Sequence, residues 1–143
     1  MLAGELALLV AALFTGAAVY VNAAEQPARL TLDDRAMLAE WKPAYKRGFA
    51  MQAPLALIGF VLGVIAAYVR SDWRWLFGAA VLLANWPFTL IVIMPVNNRL
   101  MAMDLADAGT ESRVLIKQWG KLHSVRSSFG AAATALFLWA SLP

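Results

Sequence analysis

The last apolar segment of this 143-residue chain is preceded by Trp119, His123 and Arg126. Their spacing of i, i+4 and i+7 places the three side chains on one face of a helix. His123 is the only histidine in the chain. An imidazole that accepts a proton, a permanent cation and an aromatic surface favour general-base chemistry beside an anion. We therefore predict His123 and Arg126 as catalytic residues and Trp119 as a substrate-binding residue.

Other polar side chains are expected at the same depth as this face. If the predicted helices alternate in direction, the end of helix 1, the start of helix 2, the end of helix 3 and the start of helix 4 meet. We predict that Glu25 is a third catalytic residue, which orients the imidazole of His123. Asn85 and Thr89, at i and i+4 beside Pro87, lie deeper and are predicted to bind substrate. The remaining predicted substrate-binding residues are Asn22, Trp41, Tyr45, Gln52, Asn97 and Arg99.

Two interpretations of this convergence stay open. Burying polar side chains inside a membrane costs free energy, so such residues usually have a function. This favours a ligand pocket that opens towards the cytoplasmic leaflet. Alternatively, the same side chains cap the helix ends at the interface and hold neighbouring helices together through hydrogen bonds.

Long apolar runs indicate an all-α integral membrane protein. Apolar residues make up 62% of the sequence, compared with about 45–50% in soluble domains. A helix needs about 20 residues to cross the hydrocarbon core. We predict one membrane domain, residues 1–143, folded as an up-down-up-down four-helix bundle. The predicted helices span about 2–24, 51–69, 73–96 and 110–142.

Two segments outside the membrane are also expected to be helical. In loop 1, apolar and aromatic residues recur near helical spacing: Met37, Leu38, Trp41 and Tyr45. This pattern predicts a short amphipathic helix, interrupted at Pro43, that serves as a lid or as an interfacial anchor. Helix 4 is predicted to begin on the cytoplasmic side, after Gly109, with basic residues on its solvated face.

The distribution of positive charge predicts the orientation. All of the 12 Lys and Arg residues except Arg70 and Arg74 fall in loops 1 and 3 or the adjoining helix ends. The positive-inside rule then places those loops in the cytoplasm and both termini on the outer side, in what we expect to be a bacterial inner membrane. Basic charge placed in this way indicates orientation and contact with anionic lipid, not nucleic acid. The competing signal-peptide interpretation of the first helix is disfavoured by Glu5 and by the length of the apolar run.

The numbers of cysteine and histidine residues exclude several kinds of metal, haem and disulfide site. The chain has no cysteine, so disulfides, thiolate nucleophiles and iron–sulfur clusters are excluded. One histidine excludes a bis-histidine haem or a three-histidine metal site built from one chain. Methionine–histidine ligation of haem stays formally open because there are six methionines. No P-loop, dinucleotide fingerprint, EF-hand or HExxH spacing occurs.

Five motifs together resemble the anthrone oxygenase-like family of small four-helix membrane proteins, much of which is described only as a domain of unknown function. They cover nearly the whole chain: NAAEQPAR at 22–29, WKPAYKRG at 41–48, NWPFT at 85–89, MPVNNRL at 94–100 and WGKLHSVR at 119–126. The family pattern often has histidine before the proline of the first motif, where this chain has Gln26.

The resemblance implies oxidation of an anthrone to an anthraquinone by molecular oxygen, without a metal or cofactor. In this hypothesis His123 removes the acidic methylene proton, and the carbanion reacts directly with oxygen. Trp119 and Tyr45 hold the flat rings of an apolar substrate that enters from the lipid bilayer. The groups expected to stabilise the enolate oxygen are Arg126, Asn97 and Arg99.

A different class of function also fits. The same pocket in a non-catalytic protein would bind a lipid, a quinone or an isoprenoid. A transporter is disfavoured because no internal repeat is visible. Gly- and Ala-rich faces on helices 1 and 4 allow a homo-oligomer, but they equally allow packing within one chain.

Overall fold

Four long helices make up most of the chain that the structure describes. The computed structural model describes residues 2–143, and within them the chain forms helices and short connections without a strand. We number the helices α1 (Leu2–Arg29), α2 (Asp34–Arg70), α3 (Trp73–Ala102) and α4 (Thr110–Ser141). By length and composition, α1, α2 and α3 can each cross a membrane. The predicted all-α class is confirmed.

The helices enclose two separate apolar cores. Both α1 and α3 pack against α2 and α4. The first core contains many alanines, which bring the helix axes close together, around four large side chains: Phe14, Trp75, Leu82 and Phe137. The second core lies beside the connections of the chain and contains Met37, Leu38, Trp41, Ile93, Val96, Leu100, Leu115, Ile116 and Trp119. Along each helix, the segment between the two cores borders the cavity described below.

Helix α2 begins well before the predicted start at residue 51. It runs without interruption from Asp34, after an N-cap in which the Asp33 carboxylate accepts a hydrogen bond from the backbone N–H of Ala36 at 2.9 Å. Pro43 and Pro54 both lie inside this helix and are both exposed. The predicted break at Pro43, and with it a separate loop-1 helix, is therefore wrong. Each ring points away from the neighbouring helices, so packing on the opposite face holds α2 together despite the missing N–H groups.

Helix α1 contains one wide turn, of the π-helix type, at Val21–Glu25. The backbone N–H of Gln26 donates to the carbonyl of Val21, five residues earlier. Pro27 follows at once, and a proline ring in a regular helix collides with the carbonyl four residues before it. The wider turn relieves that collision, and α1 continues to Arg29.

Helix α3 repeats this arrangement at Thr89–Ile93, where the N–H of Met94 donates to the carbonyl of Thr89. Pro95 follows directly, as Pro27 does in α1. The sequence predicts an end of this helix near residue 96, just after Pro95, but α3 continues through a last segment, Met94–Ala102. Wide turns of this type are frequently found at functional sites, and residues of both turns line the same cavity.

A tight turn joins α2 to α3. Ser71 adopts a left-handed conformation with φ of 52°, and Asp72 caps the next helix by accepting from the N–H of Arg74 at 2.9 Å. The hydrogen bond from the Arg74 side chain lowers the pKa of the Asp72 carboxyl. The turn is thus fixed by local contacts, as the two-residue connection requires.

Close packing at Gly78 can be tested by adding one methyl group. A Cβ at Gly78 would lie 2.7 Å from two ring carbons of the fully buried Phe137. We expect Gly78→Ala to lower the free energy of unfolding by about 1–3 kcal/mol, measured by thermal unfolding in detergent. Gly16→Ala is the matched control, since nothing lies within 4 Å of its added Cβ. Equal midpoints for the two variants would contradict the packing described here.

Candidate functional site

A cavity of about 390 Å³ lies between the two apolar cores and is lined by all four helices. Ligand pockets for small molecules span about 300–1,000 Å³. Most of the predicted site residues line this cavity: Glu25, Tyr45, Gln52, Thr89, Asn97, Trp119, His123 and Arg126. The three residues predicted to share one face of α4 all border it, which follows directly from the helical geometry of that segment.

Asn22 fixes the orientation of His123. Its amide Nδ2 donates to the carbonyl oxygen of Gly120 at 2.9 Å, so the amide oxygen faces the other way. That oxygen lies 2.9 Å from His123 Nδ1 and accepts from the Ser127 hydroxyl at 2.7 Å. Because an amide oxygen only accepts, Nδ1 carries the proton, and neutral imidazole keeps its lone pair on Nε2.

The second nitrogen of His123 is free to act on a ligand. The residue is 2% exposed yet lines the cavity. Within residues 2–143, Nε2 has no hydrogen-bond partner, since the one protein contact of the ring nitrogens is made by Nδ1. The imidazole also packs against the ring of Trp119, with centroids 5.0 Å apart. The ring is thereby held on two sides with its acceptor available.

Arg126 is a buried cation without a counterion. It is 9% exposed and lines the cavity one helical turn from His123. None of the ion pairs among residues 2–143 includes it, and its Nε has no hydrogen-bond partner there. Its guanidinium lies 5.7 Å from the ring centroid of Phe14. A buried charge normally requires a partner, so this arrangement suits an anionic or strongly polarised ligand oxygen.

Aromatic rings form one wall of the cavity. Tyr45 stacks on Trp41 with centroids 5.0 Å apart and planes inclined by 4°. Trp41 meets Trp119 edge to face at 5.7 Å. The Tyr45 and Trp119 rings border the cavity, whereas Trp41 is fully buried behind them. Such a wall presents flat, rigid surfaces to a planar ligand.

Further polar atoms at the cavity also have no protein partner within residues 2–143. They belong to residues that line the cavity and are buried to nine-tenths or more. These atoms are Gln52 Oε1, Thr89 Oγ1 and Asn97 Oδ1. Together with His123 and Arg126, these residues bring both donor and acceptor groups to the walls of the cavity.

The cavity opens between α1 and α2. Tyr20, Arg47 and Met51 line it and are all exposed. Tyr20 and Met51 lie on helices that are apolar enough to contact lipid, and Arg47 adds one cation to the rim. None of these three was predicted from the sequence, because an exposed residue on an apolar helix carries no periodicity signal.

Glu25 does not take the predicted role. Its carboxylate lines the cavity but pairs with Arg29, which also pairs with Glu40. Asn22, predicted to bind substrate, instead orients His123 from behind the cavity wall. The correction has a simple cause, because Arg29 is the nearer and stronger partner for a carboxylate.

Three other predicted residues do not line the main cavity. Arg99 is exposed and pairs with Glu111 at 2.6 Å on the surface, because both side chains project into solvent beyond the cavity. Trp41 lies behind Tyr45, as described above. Asn85 borders a second, smaller cavity deeper in the protein.

Gln26 supports the site but was missed by the sequence analysis. It is 7% exposed, donates to the carbonyl of Ile116 at 2.9 Å and accepts from Arg29 at 2.8 Å. Arg29 in turn lies 5.6 Å from the ring centroid of Trp119. The spacing of three between Gln26 and Arg29 is the available signal, since it places both on one helical face.

The side chains that could coordinate a metal ion are not grouped together within residues 2–143. Residues 2–143 contain no group of three or more His, Asp or Glu side chains arranged to hold a metal ion. Besides Glu25, which pairs with Arg29, and the exposed Arg47, the polar groups of residues that line the cavity are a free imidazole nitrogen, the Arg126 guanidinium and neutral amide and hydroxyl groups. Such a set can remove a proton and stabilise the resulting oxyanion.

Comparisons with known proteins place these residues in a family. The family model described as anthrone oxygenase matches residues 41–136, which include the α2, α3 and α4 walls of the cavity. An anthrone oxygenase of Claviceps purpurea is 30% identical over 115 residues, covering 72% of this chain and 62% of the relative. Monooxygenase hypC of Dothistroma septosporum is 32% identical over 114 residues, covering 71% of this chain and 61% of the relative.

A third relative matches the chain at a similar level of identity. Anthrone oxygenase dmxR16 of a Cryptosporiopsis species is 30% identical over 104 residues, covering 65% of this chain and 57% of the relative. The chain thus spans about three fifths of the length of the curated relatives it matches. No solved structure matches it. With two thirds of its length under the family model, including His123 and Arg126, the chain belongs to the anthrone oxygenase family.

Proposed function

We propose that this protein is an oxygenase that oxidises a planar, apolar anthrone- or phenol-like substrate in the cavity, with molecular oxygen and without a cofactor. The observation that carries the proposal is the pair formed by His123 and Arg126. A free imidazole acceptor and a buried cation without a counterion border one cavity. This is the combination that a carbon acid conjugated to a carbonyl group requires for deprotonation.

Substrate binding in this proposal uses the aromatic wall. The fused rings of an anthrone lie against Tyr45 and Trp119, and its carbonyl oxygen points towards Arg126. In this proposal Gln52 and Asn97, which line the cavity, contact phenolic hydroxyl groups of the substrate. Burial of the flat rings supplies most of the binding free energy, at about 25 cal/mol per Å² of apolar surface.

The first chemical step is proton removal from the methylene carbon. His123 Nε2 accepts the proton, and the C–H electron pair moves into the ring system, so that the carbonyl oxygen becomes an enolate. Arg126 is then paired with that oxyanion. The resulting imidazolium keeps its Nδ1 hydrogen bond to Asn22, which holds the ring in place during the transfer.

The second stage consumes one molecule of oxygen. The enolate transfers one electron to oxygen, and the carbon radical and superoxide combine to give a peroxide anion, which takes the proton from the imidazolium. Neutral His123 then removes the remaining proton from the same carbon. The O–O bond breaks as the new C=O bond forms, and hydroxide leaves and is protonated to water. The balance is one methylene group and one O₂ giving one carbonyl group and one water.

We also propose how the chain lies in the membrane. The three apolar helices and α4 would form an up-down-up-down bundle in one domain, with both termini outside and the 30–33 and 103–109 connections in the cytoplasm of a bacterium. The basic residues near those connections support this orientation. The opening between α1 and α2 would then face the lipid near the cytoplasmic leaflet, where an apolar substrate partitions.

A second candidate function is non-catalytic binding of a lipid, quinone or isoprenoid. It is favoured by the apolar residues at the cavity, which include Ala17, Val21 and Ile93, and by the exposed Met51 at the opening. This function needs the cavity but no proton transfer, so it predicts ligand binding without turnover.

An isotope experiment separates the two functions. Purified protein in detergent is mixed with an anthrone under ¹⁸O₂, and the quinone is analysed by mass spectrometry. We expect one ¹⁸O atom in each product molecule formed above the uncatalysed rate. Binding without accelerated oxidation would contradict the oxygenase proposal and favour the second function.

Filling the cavity provides the matched test of its location. Gly48 lines the cavity, and nothing lies within 4 Å of a Cβ added there. We expect Gly48→Trp to reduce kcat/KM by about tenfold or more, since the indole occupies the substrate volume. Gly16→Trp, at an exposed position with equal space, serves as the control and should leave the rate unchanged. Equal rates for both variants would place the reaction elsewhere.

A further inference from the structure

A second, smaller cavity lies deeper in the protein and shares three residues with the main one. Its volume is about 20 Å³. A single water molecule needs about 10–15 Å³ of such space, so this cavity accommodates one water and little else. The shared residues are Phe49, Thr89 and Arg126. Asn85 borders the smaller cavity but not the main one.

Three buried polar atoms without protein partners belong to residues that line the small cavity. Asn85 is 2% exposed, Thr89 7% and Arg126 9%. Within residues 2–143, no hydrogen bond is made by Asn85 Oδ1, Thr89 Oγ1 or Arg126 Nε. The Asn85 amide is fixed because its Nδ2 donates to the carbonyl of Leu82 at 3.0 Å. Leaving three such atoms unpaired would cost about 1–3 kcal/mol each.

The hydrogen-bonding capacity of these atoms limits which molecule could bind to all three. Arg126 Nε–H only donates, Asn85 Oδ1 only accepts, and the Thr89 hydroxyl does either. A single partner shared by these atoms would therefore have to accept and donate hydrogen bonds at the same time and fit into about 20 Å³. Dioxygen has the right size, but it cannot donate to Asn85. Water meets both conditions.

We propose that this cavity is the site of one buried water molecule, which accepts from Arg126 Nε and donates to Asn85 Oδ1 while it contacts the Thr89 hydroxyl. The water holds the guanidinium from its inner side. The two terminal nitrogens of Arg126 are thereby directed at the main cavity. This water site does not depend on the oxygenase reaction, because it rests only on the deep cavity and its unpartnered atoms.

The first test is direct observation of the water in the full-length protein. A crystal or cryo-electron microscopy map that resolves other buried waters should show one peak in this cavity. We expect distances of about 2.7–3.2 Å from the peak to the three polar atoms. An empty cavity at that resolution would overturn the proposal, as would xenon occupancy of the cavity under moderate gas pressure.

A spectroscopic test asks whether the water holds Arg126. In ¹⁵N-labelled protein, the Nε–H signal of Arg126, assigned with Arg126→Lys, should exchange slowly with solvent. We expect Asn85→Leu to shift this signal and to accelerate its exchange by about tenfold or more. Asn98→Leu, an exposed position on the same helix, is the control and should leave the signal in place.

A second variant keeps the test decisive if Asn85→Leu does not fold. Thr89→Val has nearly the same shape and removes only the hydroxyl group, so it should give a smaller shift of the same Arg126 signal. An unchanged Arg126 Nε–H signal in a folded Asn85 or Thr89 variant would overturn the proposal.

Discussion

Replacing His123 with alanine should slow anthrone oxidation by about 10²–10⁴-fold, the range typical for loss of a positioned general base. The imidazole is held by Asn22 and Trp119, so its Nε2 is the acceptor at the cavity that needs no rearrangement to take a proton. The measurement is the initial rate of quinone formation at saturating oxygen, corrected for the uncatalysed reaction. A substrate deuterated at the methylene carbon should show a primary isotope effect in the wild-type protein.

Added imidazole distinguishes lost chemistry from lost structure. The alanine variant leaves space for a free imidazole, which should restore part of the rate in proportion to its concentration. Thr15→Val is the control, because the Thr15 hydroxyl lies 2.9 Å from that of Thr134 and joins the same two helices away from the cavity. Unchanged turnover in His123→Ala would remove His123 from the mechanism.

Periodicity identified three residues that share one face of α4, because that helix is regular. In Thr110–Ser141, positions i, i+4 and i+7 keep a common face, so Trp119, His123 and Arg126 all border the cavity. The same reasoning, applied through alternating helix directions, placed Gln52 and Asn97 at the depth of that face and Thr89 deeper, and all three line the cavity. These residues could be found because helix geometry alone determines which side chains share a face.

The extent of α2 and α3 could not be predicted, because proline acts differently in a packed helix. The local cost of Pro43 or Pro95 is about 3 kcal/mol, enough to end an isolated helix. In the folded protein, burial on the opposite face offsets this cost. Wide turns also have no sequence signature beyond the proline that follows them, so the turn at Thr89–Ile93 appears only in three dimensions.

The contacts of Glu25 and Gln26 in α1 were predicted wrongly because this helix also contains a wide turn. A wide turn holds one residue more than a regular turn, so the face that continues past Val21–Glu25 is displaced along the sequence. Gln26 consequently lies in the interior, whereas Glu25 is partly exposed and pairs with Arg29. Sequence spacing alone assumes regular turns and assigned the interior position to Glu25.

Replacing Arg126 with methionine should separate function from stability. We expect anthrone oxidation to fall by about 10²–10³-fold, as for removal of one oxyanion-stabilising donor. The free energy of unfolding should not fall, because a buried cation without a counterion is costly and methionine fills a similar volume. The two measurements are the rate of quinone formation and chemical unfolding of the same detergent preparation.

Arg29→Met is the matched comparison, since Arg29 is also buried but is paired with two carboxylates. Its side chain is 1% exposed and contacts Glu25, Glu40 and Gln26. Removal of this cation leaves its partners unsatisfied and should lower the free energy of unfolding by about 1–3 kcal/mol. If Arg126→Met instead destabilised the protein as much as Arg29→Met and kept its activity, Arg126 would be a structural residue. The proposed oxyanion contact would then have to be abandoned, because no other cation among residues 2–143 is both buried and unpaired at this cavity.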